Sequence, residues 1–304
     1  DIYYKDIYTL INGVDHELFN PSKFDKKSIR KNLKLNDNDV VLFYSGRLVP
    51  EKGIKELIIC FIGLKKKFSN LKLLIAGSSF FGNSLKKTSY IKELECICKD
   101  YQNDIIFTGY VDYNKMPEVY MAADIQIIPS IIDDSCPLSV IEGICMGLPQ
   151  VATISGGIPE LVTNKQSILV NRDNLQKELY DALEKLLNNP ELVKKMSHES
   201  IKHCHIYKKD IYAQRLNSLL KERNWIKVVK FLKKIKELII SVDLYLRLSI
   251  SKKKKRFFIF DIPLYANLGD QAIIEAEKKF LKDNFPKTKI IEISSYLLDR
   301  TFLF

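Results

Sequence analysis

The chain has 304 residues, of which 46 % are hydrophobic and 28 % charged, and its formal net charge is +11. This length fits about two domains, and the apolar content suffices for packed cores, which excludes an intrinsically disordered chain. The 12 glycines and 10 prolines are too few for a collagen-like polymer. No apolar run reaches the roughly 18–20 residues that a membrane-spanning helix needs.

The positive charge is concentrated in one short region. Residues 1–220 hold 29 basic and 27 acidic side chains, residues 221–256 hold 13 and 3, and residues 257–304 hold 6 and 7. The distribution predicts a nearly neutral first domain, a basic connector and a nearly neutral C-terminal piece. A protein that binds nucleic acid is expected to be basic over a whole face, so nucleic acid is not a predicted partner.

The predicted elements begin at Val40, where short apolar runs alternate with stretches of helical periodicity. Strands are predicted over residues 40–45, 71–76, 105–108, 125–129, 150–153 and 167–170. Helices are predicted over residues 53–68, 90–101, 113–123, 137–146, 175–187 and 190–220. Alternating strands and helices predict an α/β fold, a doubly wound parallel sheet covered on both faces, which binds ligands at the carboxyl ends of its strands.

The loop after the first strand carries Gly46, Arg47 and Lys52. Gly46 ends the strand and permits a ligand to approach the backbone closely. Arg47 and Lys52 suit a diphosphate, the former as a bidentate fork and the latter as a point charge. The alternative is that both cations are simply solvated.

The loop after the fourth strand leads into a predicted helix with Pro137 at its first position, so that the amides of about residues 138–140 face the strand ends. Such amides bind phosphate. Asp134 precedes this helix and Glu142 lies within it, where both suit sugar hydroxyls better than phosphate. The alternative makes Asp134 a helix-start carboxylate and Glu142 a surface residue.

Six motifs occur in a fixed order over about residues 8–215. They are Asn12-Gly13-Val14-Asp15, Tyr44-Ser45-Gly46-Arg47 with Lys52-Gly53, Gly109-Tyr110-Val111, the pair Asp134-x7-Glu142, Gly147-Leu148-Pro149, and Ser155-Gly156-Gly157-Ile158-Pro159-Glu160. Together they resemble the C-terminal half of a GT-B glycosyltransferase of the large retaining class numbered four.

This resemblance implies catalytic roles for Arg47 and Lys52, which bind the donor diphosphate and stabilise charge on the departing nucleoside diphosphate. It implies that Glu142 binds the ribose hydroxyls and that Asp134, where the family more often has Glu, contacts the transferred sugar. The remaining implied donor-binding residues are Gly46, Cys136, Pro137, Leu138 and Ser139. Neither a metal nor a cofactor is implied beyond the nucleotide-diphosphate sugar.

The implied function is transfer of a hexose from a nucleotide-diphosphate sugar to a glycan or lipid-linked acceptor in surface or exopolysaccharide biosynthesis. In the family an acceptor-binding domain precedes the Asn-Gly-Val segment, whereas about a dozen residues precede Asn12 here. We therefore expect this chain to supply the donor-binding half, as a fragment or as half of a split enzyme. The alternative is a non-catalytic module that binds nucleotide sugar or scaffolds a partner.

The C-terminal piece, residues 257–304, is predicted to start a second βαβ unit. Its loop holds Asn267 and Gly269, which suit a left-handed turn, and Asp270, which suits a helix N-cap. The run Tyr265-x-Asn267-Leu268-Gly269-Asp270-Gln271-Ala272-Ile273 resembles the opening of the polysaccharide pyruvyltransferases. Because only the family's first strand–helix–strand is matched, we do not expect pyruvyl transfer by this chain, although an intact parent could perform it.

The connector, residues 221–256, contains apolar residues at helical spacing between lysines, and then five consecutive basic residues. One interpretation is a helix on an anionic membrane surface, and the other is a helix docked on a neighbouring domain.

The cysteines indicate the compartment, because none forms a CxxC pair and their sparse placement suits reduced thiols. The chain is thus predicted to be cytoplasmic, and the first interpretation of the connector adds peripheral contact to the inner membrane face.

Overall fold

The computed structural model describes residues 9–78, 88–222, 256–260 and 289–293. Val14–Tyr207 form most of one compact unit, and it contains a six-stranded sheet. All neighbouring strands of this sheet are parallel, in the order β3-β2-β1-β4-β5-β6. The strands are β1 (Val40–Ser45), β2 (Leu71–Ala76), β3 (Ile105–Gly109), β4 (Ile125–Ile128), β5 (Gln150–Thr153) and β6 (Ser167–Val170). The predicted doubly wound α/β sheet is confirmed.

Helices flank the sheet because its strands bury side chains on both faces. The helices of this unit are α1 (Lys26–Asn32), α2 (Ile54–Lys65), α3 (Ser89–Ile97), α4 (Met116–Ala122), α5 (Leu138–Cys145), α6 (Ile158–Leu161), α7 (Leu175–Leu187) and α8 (Pro190–His203). Leu42 of β1 packs in one core with residues of α2 and α7. The neighbouring Phe43 points the other way, where its ring meets that of Tyr120 on α4 at 4.8 Å.

The last predicted helix differs from the observed structure. Instead of one helix over residues 190–220, α8 ends at His203, Cys204–Tyr207 form a 3-10 turn, and α9 (Lys209–Glu222) follows. The turn is pinned by buried contacts, since the Tyr207 hydroxyl donates to the carbonyl of Leu161 at 2.5 Å and the Val14 amide donates to the Tyr207 carbonyl. Periodicity alone does not show such contacts.

A disulfide joins Cys145 at the end of α5 to Cys204 in the 3-10 turn. The prediction that the cysteines are reduced thiols is wrong for this pair, because the turn brings together two residues 59 positions apart. Cys60, Cys96 and Cys98 are free thiols.

The other unit contains α9 and a parallel pair of strands, β7 (Arg256–Phe260) and β8 (Lys289–Ile293). Both strands of the predicted second βαβ start are therefore present. Its predicted helix, the loop with Asn267, Gly269 and Asp270, and most of the connector lie outside the described residues. Within the described part of the chain, no helix is both long and apolar enough to cross a membrane.

Candidate functional site

The candidate site lies where β1 and β4 are neighbours at the centre of the sheet. From β1 the sheet continues through β2 and β3 on one side, and from β4 through β5 and β6 on the other. In an open parallel sheet, this reversal of strand order leaves a crevice at the carboxyl ends of the two strands. The loops that follow β1 and β4 are the two that carry the predicted site residues.

The loop after β1 turns sharply at Gly46, whose φ is +156°. Its carbonyl lies so close to Gly77 that a β-carbon at Gly77 would stand 1.9 Å from it. The hydroxyl of Tyr44 donates to the carbonyl of Arg47 at 2.7 Å, which fixes the backbone of this exposed arginine. The side chain of Arg47 thus extends from a rigid backbone.

The two site loops are in direct backbone contact. Gly53 has a φ of +66°, and a β-carbon there would stand 1.9 Å from the carbonyl oxygen of Pro129. The amide of Ile131 donates to the carbonyl of Glu51 at 2.9 Å. Glycine at position 53 is therefore required both by its backbone conformation and by the approach of the second loop.

This contact brings together two of the predicted site residues, Lys52 and Asp134, which form an ion pair. Their side chains are 19 % and 27 % exposed, so both members of the pair are partly accessible to a ligand. The predicted catalytic cation and the predicted sugar-binding carboxylate are thus adjacent in space, although they are far apart in the chain.

A third loop, after β5, holds the backbone at Asp134 through hydrogen bonds. The amide of Gly157 donates to the carbonyl of Asp134 at 2.8 Å, and the amide of Gly156 donates to the carboxylate of Asp133 at 3.0 Å. A β-carbon on Gly157 would stand 1.9 Å from the carbonyl oxygen of Ser135. The two glycines therefore allow the loops to approach closely, and Asp134 is held by its backbone.

Helix α5 begins at the crevice. Pro137 is its N-cap rather than its first helical residue, because its ψ of 119° is extended, so the predicted position of this proline is wrong by one residue. The amide of Val140 already donates to the Pro137 carbonyl at 3.1 Å. Cys136 and Ser139 are half-buried and Leu138 is buried.

Glu142 lies inside the protein, with 1 % of its surface exposed. Its Oε2 accepts a hydrogen bond of 2.8 Å from the hydroxyl of Tyr120, while its Oε1 is buried without a hydrogen-bond partner among the described residues. Burial raises the pKa of Glu142 to about 7, and the bond from Tyr120 opposes this increase. The interpretation as a solvated surface residue is wrong.

Three buried polar residues outside the sequence motifs support the start of α5. Gln126 on β4 donates to the Ser139 carbonyl and Gln150 on β5 donates to the Val140 carbonyl, at 2.8 and 2.7 Å. Tyr120, on α4, joins Ser45 to Glu142. A glutamine within the apolar run of β4 was the signal available in the sequence, because a buried polar side chain needs a partner.

Within the described residues, no cluster of three or more His, Cys, Asp or Glu side chains could hold a metal ion. Positive charge for a bound anion can come from Arg47 and Lys52, and hydrogen-bond donors from the start of α5. Asp134 is a partly exposed acceptor for hydroxyl groups of a ligand, and Oε1 of Glu142 is a buried acceptor that lacks a hydrogen-bond partner among the described residues. The arrangement suits a molecule with a diphosphate and sugar rings.

Comparison with protein families gives a match to the model described as "Glycosyl transferases group 1", over residues 25–203. This range contains both site loops and α5.

Two relatives with named activities match parts of the chain. A lipopolysaccharide 1,2-N-acetylglucosaminetransferase of Salmonella typhimurium is 30 % identical over 151 residues, which are 50 % of this chain and 39 % of that protein. A GDP-mannose-dependent phosphatidylinositol monomannoside mannosyltransferase of Corynebacterium glutamicum is 27 % identical over 221 residues, 69 % of this chain and 55 % of that protein. The chain thus spans about half the length of such relatives or less.

Two solved structures share the fold. HepE of Anabaena, in complex with UDP and glucose, superposes with a TM-score of 0.61 at 22 % identity, over 70 % of this chain and 56 % of that one. The C-terminal domain of LpcC, a group 1 glycosyltransferase of Francisella tularensis, gives a TM-score of 0.56 at 24 % identity, over 64 % of this chain and 99 % of that one.

Proposed function

The chain belongs to the group 1 glycosyltransferase family, and on this premise we propose that it supplies the donor-binding half of an enzyme that transfers a sugar from a nucleotide-diphosphate sugar. The observation that carries the proposal is the meeting of Lys52, Asp134 and the start of α5 at one crevice. Cation, carboxylate and helix amides are the groups that a sugar diphosphate requires.

In this proposal Arg47 and Lys52 bind the diphosphate and stabilise the negative charge that develops on the nucleoside diphosphate as it leaves. Binding the diphosphate takes Lys52 from its present partner, Asp134. The carboxylate of Asp134 then becomes available to the hydroxyls of the transferred sugar. One ligand thus makes use of both halves of the ion pair.

The other site residues complete the donor pocket. Gly46 lets the donor approach the backbone after β1, and the segment from Cys136 to Ser139, which includes Pro137 and Leu138, holds the phosphates and sugar at the start of α5. Glu142 binds the ribose hydroxyls through its open Oε1. Charge on the donor is met by side chains and amides, so the proposal includes no metal and no cofactor.

The names of the relatives support the class of donor. HepE is described in complexes with UDP and with UDP-glucose, and the C. glutamicum relative is described as dependent on GDP-mannose. We therefore propose a UDP-sugar or GDP-sugar as donor. The match of this chain to almost the whole LpcC C-terminal domain supports its assignment as the donor-binding half.

The broader biological role is also part of the proposal. The Salmonella relative is described as acting on lipopolysaccharide, which supports a glycan or lipid-linked acceptor in surface polysaccharide assembly. In the same proposal the enzyme is a retaining hexosyltransferase, as the resemblance found in the sequence implies. It acts at the cytoplasmic face, with the basic connector near the membrane.

Calorimetry with UDP-glucose and GDP-mannose tests the proposal on the full chain. We expect one of them to bind, and Arg47→Ala to weaken binding about tenfold, since a charge-assisted hydrogen bond contributes about 1.5–3 kcal/mol. Lys67→Ala is the matched control, because Lys67 pairs with Glu184 away from both loops. The assignment would be contradicted if neither sugar nucleotide bound, or if Arg47→Ala and Lys67→Ala lost affinity equally. A sugar-transfer assay separates the enzyme from the alternative, a non-catalytic binding module.

A further inference from the structure

A chain of hydrogen bonds from Ser45 through Tyr120 to Glu142 crosses the interior between the two site loops. We infer that Tyr120 is a positioning residue for donor binding, which holds one oxygen of Glu142 and thereby presents the other oxygen to a ligand hydroxyl. This inference rests on the proposed function, because it concerns the same donor site.

The ring of Tyr120 is fixed in place. It is fully buried, and the rings of Phe19 and Phe43 meet it edge-on with centroid distances of 5.8 and 4.8 Å. A phenol clamped between two aromatic rings cannot follow a moving carboxylate. The carboxylate of Glu142 must therefore adopt the position that the Tyr120 hydroxyl sets.

The number of protons determines the direction of the hydrogen bonds. A tyrosine hydroxyl donates one hydrogen bond, and the 2.8 Å contact to Glu142 is shorter than the 3.3 Å contact to the Ser139 carbonyl. Tyr120 therefore donates to Glu142, and the Ser45 hydroxyl, 2.9 Å away, donates to Tyr120. Because Ser45 adjoins Gly46, the orientation of Glu142 is coupled to the end of β1.

The other oxygen of the Glu142 carboxyl group, Oε1, has an unused capacity to accept a hydrogen bond. Oε1 of Glu142 is a buried acceptor without a hydrogen-bond partner in the described part of the chain, and burying such a group unpaired is costly. A hydroxyl of a bound ligand supplies the missing donor. Glu142 thus accepts one bond from the protein and one from the ligand.

The protonation of Glu142 depends on the hydrogen bond from Tyr120. Burial raises its pKa and the bond from Tyr120 lowers it. The other polar groups that contact α5 from the sheet are the neutral amides of Gln126 and Gln150. Among the other elements packed on α5, α6 carries Glu160, which is exposed. Helix α8 and the 3-10 turn carry His203, which contacts Tyr207. Their other charged side chains are mostly exposed.

The test compares Tyr120→Phe with Tyr207→Phe in the full chain. Tyr207 is an equally buried tyrosine, but its hydroxyl donates to the Leu161 carbonyl. The carboxyl group of Glu142 is titrated by ¹³C NMR, with Glu142→Gln identifying its signal, and the affinities for UDP and GDP are measured by calorimetry. Ser45→Ala is a milder second variant for the case that Tyr120→Phe does not fold.

We expect Tyr120→Phe to raise the titration midpoint of Glu142 and to weaken UDP or GDP binding about tenfold at neutral pH, and Ser45→Ala to act less strongly in the same direction. Tyr207→Phe should match the wild type in both measurements. If the wild type binds UDP or GDP and the Tyr120 and Ser45 variants keep its midpoint or its affinity, the inference is wrong and the proposed function stands. If the wild type binds neither nucleotide, the proposed function fails, and the inference with it.

Discussion

The ammonium of Lys52 forms an ion pair with the carboxylate of Asp134, which lies 82 positions further along the chain. Each residue belongs to a different loop at the centre of the sheet, and each alone could be a solvated surface charge. Their meeting defines the candidate site, and under the proposed function a diphosphate competes with Asp134 for the Lys52 ammonium.

Replacing Asp134 by Asn should tighten the binding of UDP or GDP several-fold, since it frees Lys52 from a partly exposed pair that contributes about 1 kcal/mol or less. The affinity for the complete sugar nucleotide should gain less than the affinity for UDP or GDP, because the sugar loses its carboxylate. Calorimetry measures both effects. Glu184→Gln is the control, since it breaks the exposed pair with Lys67. Weaker nucleotide binding in Asp134→Asn would refute the proposed competition.

Gly53→Ala should destabilise the protein and abolish donor binding. The alanine pays for a positive φ, about 1–2 kcal/mol, and its β-carbon also meets the Pro129 carbonyl oxygen at 1.9 Å. Gly109→Ala is a matched control, because Gly109 has a φ of +70° but open space around its β-carbon position. Urea unfolding should show a clearly larger loss for Gly53→Ala. Equal losses would mean that the contact between the two loops contributes nothing.

The stability of the fold should depend on pH through Glu142. Its pKa is about 7 in the folded protein and 4.5 when unperturbed, so between these values the folded state holds a proton that the unfolded chain has lost. This stabilisation is fully present below pH 4.5 and is lost as the pH rises through 7, a change of about 3 kcal/mol.

Urea unfolding at pH 5 and pH 8 checks this effect. Glu142→Gln should remove the part of the decrease that Glu142 causes, whereas Glu160→Gln, at an exposed position, should leave it intact. An unaltered pH dependence in Glu142→Gln would contradict the raised pKa.

Reduction should destabilise the protein through the Cys145–Cys204 disulfide. A cross-link that closes a loop of this length, with 59 positions between its ends, restricts the unfolded chain by about 4 kcal/mol. Dithiothreitol should therefore lower the unfolding free energy of the wild type and leave a Cys145→Ala/Cys204→Ala variant unchanged. Cys96→Ala, which removes an exposed free thiol, should respond to dithiothreitol as the wild type does. An unresponsive wild type would show that the bond does not contribute.

The sheet could be predicted because its strands are apolar runs of the expected length. Four of the six predicted ranges, including 40–45 and 150–153, agree with β1, β2, β5 and β6 at both ends. The ion pair of Lys52 with Asp134 and the disulfide could not be predicted, since both depend on distant residues that meet only in the folded chain. The partners of Gln126 and Gln150 could not be predicted either. A polar residue in a buried strand indicates that it has a hydrogen-bond partner, but the sequence does not identify that partner.

Chemical-shift mapping of the backbone amides during a titration with UDP and with GDP shows where on the sheet a nucleotide binds. We predict that one nucleotide causes its largest shifts in residues 46–53 and 136–140, the loop after β1 and the start of α5. The amides at the opposite edge of the sheet should change little. Large shifts confined to other regions, or no saturable shift with either nucleotide, would contradict the assignment of this crevice as a donor site.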